Sequence, residues 1–178
     1  MDKSEIESYK KAGQIAKQVR EFAESFIEKD MLLLEIVEKI EAKITELGAT
    51  PAFPTNMSLN EVSAHYTPTS DDKTKATGIL KIDLGVEVDG YIADTAFSID
   101  LTDDNEFQEL IELNKKALES AIAKLKPGIQ VKEIGEAVQG TIEDADQSQF
   151  SIVRNLSGHS LGKNEIHAGI TIPNHKNN

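Results

Sequence analysis

Two aspartates, Asp83 and Asp94, flank an Asp89-Gly90 pair inside a run of alternating apolar residues. Asp-Gly between such runs predicts a two-residue hairpin turn of type I′, whose central residues both need positive φ. With that turn, Val88 pairs with Tyr91, Gly85 faces Asp94 and Asp83 faces Ala96. The two aspartates become diagonal neighbours on one face, ~7–8 Å apart at Cα and closer at Cβ. Carboxylates so placed can converge on a shared cation. Gly85, opposite Asp94, leaves room for an ion or ligand. The plainer alternative is a solvated pair on the wet face of a sheet. Against it, Asp is depleted inside strands, and Asp94 is flanked by Ala93, Thr95 and Ala96 instead of charges.

Hard and borderline divalent metals take carboxylate oxygen and imidazole nitrogen. The chain has 4 histidines. His65 lies in Ala64-His65-Tyr66-Thr67-Pro68, His159 in Ser157-Gly158-His159-Ser160, and His167 in Ile166-His167-Ala168-Gly169. His175 sits in a polar tail and is read as having no functional role.

The hairpin must be positioned by the elements around it. Ile6, Tyr9, Ala12, Ile15, Ala16, Val19, Phe22 and Phe26 recur at helical spacing, with Asp2 and Ser4 as candidate caps. Leu33, Ile36, Val37, Ile40, Ile44 and Leu47 mark a second helix, with Gly48 placed to end it. Pro51, Pro54, Thr55, Asn56 and Ser58 read as a loop feeding short extended segments, and Thr67 to Thr77 as an exposed loop. Ile82, Leu84, Val86 and Val88 form the apolar face of the first hairpin strand, continued by Tyr91, Ala93, Thr95 and Phe97. The opposite face holds Lys81, Asp83, Glu87, Ile92 and Asp94. A third helix carries Phe107, Leu110, Ile111, Ala117, Leu118, Ala121, Ile122 and Leu125 as its apolar stripe, closed by Pro127-Gly128. A fourth carries Val131, Ile134, Ala137, Val138 and Ile142, and short extended pieces follow Phe150. Two helices then strands, twice over, predicts a structural repeat, the first copy at about 1–102 and the start of the second at about 103–178.

Composition bounds the function. The 178 residues suit one domain with a real core. Lys plus Arg is 19 and Asp plus Glu is 31, a net charge of −12 that disfavours nucleic acid and anionic membrane surfaces as partners. With Cys 0, there is no disulfide framework, thiolate zinc site or thiol nucleophile. No apolar run is long enough to span a membrane as a helix. The charged start Met1-Asp2-Lys3-Ser4-Glu5 has no signal-peptide core, so the expected compartment is the cytoplasm.

Taken together, several stretches resemble the type 2 methionine aminopeptidases. These are pita-bread metallopeptidases, here in the shorter form without a polybasic extension. The matching stretches are Ala52-Phe53-Pro54-Thr55-Asn56, Ala64-His65-Tyr66-Thr67-Pro68, Lys81-Ile82-Asp83-Leu84-Gly85, Ile92-Ala93-Asp94-Thr95-Ala96-Phe97, Gly158-His159-Ser160 and Ile166-His167-Ala168-Gly169. They occur in the family's order across nearly the whole chain. The resemblance implies an α+β pita-bread fold with a curved antiparallel sheet and helices on its outer face. It implies an aminopeptidase that removes the initiator methionine from nascent proteins at the ribosome and acts as a monomer when full length. Two divalent ions, drawn from cobalt, manganese, iron or zinc, are the implied cofactors. Asp83 would chelate one ion, Asp94 would bridge both and His159 would ligate the other. His65 and His167 would bond the scissile peptide, and Phe53 and Ile166 would line the methionine pocket.

The resemblance also sets a departure. The family site has two further glutamate ligands on later strands, and neither Glu87 nor Glu165 matches their motif. The chain is therefore expected to be an incomplete pita-bread domain over 1–178. An open sheet edge and an exposed apolar face are expected to make it poorly soluble alone. Two other readings stand beside this one. The first is a non-catalytic pita-bread module that binds proteins, and the second is a related prolidase or aminopeptidase P, which shares the aspartate hairpin.

Overall fold

The computed structural model describes residues 1–145 and 149–177, in two compact units. The first unit comprises Met1–Phe107 with Gly162–Ile166, and the second Gln108–Leu161 with His167–Asn178.

The first unit opens with α1 (Lys3–Phe26), started by a capping box in which the Asp2 carboxylate accepts from the Glu5 amide and the Glu5 side chain accepts from the Asp2 amide. α2 (Leu33–Glu46) follows and ends at Gly48, whose φ of +78° is the left-handed conformation glycine adopts without strain. Next come β1 (Thr50–Pro51), β2 (Asn56–Leu59), β3 (Ile79–Val88) and β4 (Tyr91–Asp100). All pairs are antiparallel; β1 and β2 lie along one side of β3, and β4 along the other.

The hairpin register matches the sequence expectation at every pair, including Val88 with Tyr91, Gly85 with Asp94 and Asp83 with Ala96. Asp89 and Gly90 have φ of +56° and +87°, as a type I′ turn requires. Ile82, Leu84, Val86 and Phe97 are buried with Ile15, Val19, Leu33, Ile36, Ile40 and Ile44 in one core. The helices therefore cover the apolar face of the sheet, and the aspartates stand on the other.

The second unit holds α3 (Gln108–Lys124), α4 (Val131–Asp144), β5 (Ser157–His159) and β6 (Thr171–Pro173), with β5 and β6 paired antiparallel. Gly135 of α4 runs against the backbone of Pro173 and His175, a contact that leaves no room for a Cβ. The expected apolar stripe of α3 needs correction. Ile111 and Ala117 are buried, but Leu118, Ile122 and Leu125 are 53%, 56% and 56% exposed. Ile111 and Leu118 lie seven residues apart on the same helical face. The face is thus covered at its start and bare at its end. Periodicity marks such a face but cannot say how far along it a partner extends.

Candidate metal centre

In the first unit, Asp83 sits on the central strand of a three-strand row. It is directly opposite Asn56 of β2 on one side and Ala96 of β4 on the other. Asp94 is its diagonal neighbour, opposite Gly85. Both aspartates are half-buried. Burial, reinforced by the negative charge of Asp94 and a hydrogen bond shared with it, pushes the Asp83 carboxyl up to about 6. His65 and the Asn56 amide pull in the opposite direction, favouring the charged form. A cation between the two carboxyl groups would relieve the repulsion that raises Asp83, so this half-buried oxygen-donor pair fits a hard or borderline divalent ion. Among the described residues, no group of three or more His, Cys, Asp or Glu side chains is arranged to hold a metal ion.

Gly85 plays a different part from the one expected. The space above it is filled by the Phe53 ring and the Ala52 methyl, with which a Cβ at residue 85 would collide. The Ala52 amide donates to the Gly85 carbonyl at 3.0 Å, so the segment after β1 is drawn down onto β3. The glycine thereby admits Phe53, not an ion, and sets an aromatic ring beside the strand pair that carries Asp94.

His65 has a φ of +67°. Its segment is docked on β2, where the Met57 amide donates to the Tyr66 carbonyl at 2.7 Å. Thr67 Oγ1 donates to Asn56 Oδ1 at 2.8 Å. Glu87 is occupied as a turn support, accepting from the Gly90 amide at 3.0 Å. Ile166 is half-buried in the same unit, and Glu165 is exposed.

The second unit brings His159 and His167 together, with ring centroids 4.2 Å apart and planes at 60°. Ser160 ties the loop that does this: its amide donates to the Ile170 carbonyl, its carbonyl accepts from Ala168, and its hydroxyl accepts from the Ile170 amide. His167 is exposed and His159 half-buried.

Sequence reasoning missed Asn56 as the cross-strand neighbour of Asp83 and Thr67 as the partner of Asn56. The signal was the alternation Asn56-Met57-Ser58-Leu59, polar then apolar, which puts Asn56 and Ser58 on one face.

Residues 7–178 match the profile of metallopeptidase family M24. The chain is 49% identical over 172 residues to a methionine aminopeptidase of Pyrococcus horikoshii, covering 96% of this chain and 57% of that protein. It thus spans little more than half of that relative's length. The structure is similar to that of a methionine aminopeptidase from Thermotoga maritima, with a TM-score of 0.85 and 28% identity, covering 99% of this chain and 73% of that one. It also resembles a prolidase from Pyrococcus furiosus, with a TM-score of 0.78 and 27% identity over 99% of this chain and 52% of that one. The fold is the α+β pita-bread fold. The chain belongs to metallopeptidase family M24.

Proposed function

We propose that this chain carries part of the active site of a metallo-aminopeptidase that removes N-terminal methionine from nascent proteins. The observation that carries the reading is the half-buried Asp83–Asp94 pair, in a chain 49% identical to a methionine aminopeptidase. Family membership supports a divalent-metal cofactor. Two ions are proposed, with cobalt, manganese, iron and zinc as candidates. When bound, such ions supply Lewis-acid polarisation and a water of lowered pKa.

The residues divide the work. Asp83 would hold one ion, Asp94 both, and His159 the other. His65 and His167 would hydrogen-bond the scissile amide and its carbonyl and so fix the peptide's orientation. Phe53 and Ile166 would line the pocket for an unbranched thioether side chain, which suits an apolar surface with few polar groups. The chain is read as one pita-bread domain with repeats at about 1–102 and 103–178. The enzyme would act in the cytoplasm, as a monomer when full length, on polypeptide N-termini at the ribosome. The charge of −12 argues against nucleic acid as a partner, and no helix among the described residues is long and apolar enough to cross a membrane.

The test is substrate choice. The Mn²⁺-supplemented full-length enzyme is offered a Met-Ala peptide and an Xaa-Pro dipeptide, and products are read by mass spectrometry. Release of methionine from Met-Ala is expected. Cleavage confined to Xaa-Pro would move the protein to the prolidases.

A further inference from the structure

Behind Asp83 lies a polar pair that none of the proposed roles uses. Asn56 is the residue directly across β2 and β3 from Asp83. In an antiparallel pair such residues share a face, with Cβ atoms about 4.5–5.5 Å apart. A carboxylate only accepts hydrogen bonds, so an asparagine facing it must present its NH2 group. Asn56 Oδ1 is engaged elsewhere, accepting from Thr67 Oγ1 at 2.8 Å. That bond sets the amide plane and turns the NH2 away from Thr67. The Asn56 NH2 is thus left facing Asp83 across the strand pair, where a hydrogen bond from it favours the charged carboxylate.

Thr67 is itself held. Its neighbour Tyr66 is bonded to β2 at both ends, through the Met57 amide to its carbonyl and its own amide to Ser58 Oγ at 3.4 Å. Ser58 is almost fully buried. The hydroxyl of Thr67 therefore starts from a fixed anchor, and the same short segment carries His65.

We infer that Thr67 and Asn56 form an orienting relay: the Thr67 hydroxyl fixes the Asn56 amide, whose NH2 holds the Asp83 carboxylate in the rotamer that receives a divalent cation. Both are positioning residues. Neither offers the ion an oxygen, since the Asn56 carbonyl is taken by Thr67. The relay leaves the remaining lone pairs of Asp83 for the cation. The inference rests on the reading of Asp83 as a metal ligand, and goes beyond it by naming what aims that ligand.

The test compares Thr67→Val, which keeps shape but removes the hydroxyl, with Thr67→Ser, which keeps the hydroxyl, and with Asn56→Ala. Mn²⁺ is titrated calorimetrically into each chain, with circular dichroism as the control for folding. Partners of this kind are worth about 10–100-fold in metal affinity. Thr67→Val and Asn56→Ala are expected to lose at least about tenfold, and Thr67→Ser to bind like the unmodified chain. A second readout needs no metal: nuclear Overhauser contacts from the Asn56 NH2 protons to the Asp83 Hβ protons. They are expected in the unmodified chain and in Thr67→Ser, and should vanish in Thr67→Val. Unchanged Mn²⁺ affinity in both Thr67→Val and Asn56→Ala, while Asp94→Asn loses it, overturns the relay and leaves the metal site standing. If the unmodified chain binds no Mn²⁺, the metal reading fails. The proton contacts then decide the relay alone, and their absence from the unmodified chain overturns it.

Discussion

Asp83 and Asp94 are diagonal neighbours across β3 and β4, and burial together with the charge of Asp94 pushes the Asp83 carboxyl up to about 6. The pair is half-buried on the face of the sheet that the helices leave uncovered. The raised Asp83 pKa has a consequence for stability. Asp83 titrates at about 6 in the folded chain against 3.8 for the ordinary group. An acid whose pKa is raised by folding binds its proton more tightly in the folded state. Its contribution therefore opposes folding fully above about pH 6 and vanishes below about pH 3.8. Between these values, acidification of the metal-free chain relieves strain at this site. Asp94→Asn removes the repelling charge and should make the urea midpoint less sensitive to pH across that window. Denaturation curves at pH 7 and pH 5, with and without the substitution, check this.

Protonation of Asp83 competes with metal. Binding a divalent ion must displace the proton, so affinity should fall as pH drops through about 6. Calorimetry in two buffers of different ionisation enthalpy should show proton release near pH 6 and less of it at pH 7.5. Equal heats at both pH values would mean that the metal binds away from Asp83.

Gly85 admits the Phe53 ring. Gly85→Ala places a Cβ into that ring and the Ala52 methyl. The expected cost is about 1–3 kcal/mol, the usual range for overpacking. Adding Phe53→Ala to Gly85→Ala should return part of that loss, because the two substitutions touch. A double-mutant cycle by urea denaturation measures the coupling.

Glu87 shares the carboxylate face yet supports the turn through the Gly90 amide. Glu87→Ala should cost about 1 kcal/mol of stability, the usual worth of one hydrogen bond, and leave Mn²⁺ affinity unchanged. Loss of affinity would place it among the ligands.

Leu118, Ile122 and Leu125 present a bare apolar strip along the end of α3. Such a strip favours association in water. The chain is expected to elute from a sizing column as more than a monomer. Leu118→Glu with Ile122→Lys should shift it towards the monomer without altering its circular dichroism.

The hairpin was legible in the sequence because Asp89-Gly90 fixes the turn, the turn fixes the register, and a period of two then assigns every side chain to a face. That placed Asp83, Asp94 and Glu87 correctly. What lies beside β3 was not legible. β2 is four residues long and follows a proline-containing loop, so nothing local sets its register against β3. Asn56 and Thr67 therefore came from the structure alone, as did the Phe53 ring above Gly85. The reach of the α3 stripe failed for another reason: Ile111 and Leu118 carry the same periodic signal but differ in what packs on them.

The role proposed for Asp83 and Asp94 is to hold a divalent metal together. Calorimetric titration of Mn²⁺ into the chain and into Asp94→Asn tests it most directly. Saturable binding to the unmodified chain is expected at neutral pH. Binding to Asp94→Asn is expected to be at least about 100-fold weaker, beyond the usual cost of an outer partner, because an amide cannot supply the second anionic oxygen. Equal affinity in the two proteins, or none in either, would contradict that role.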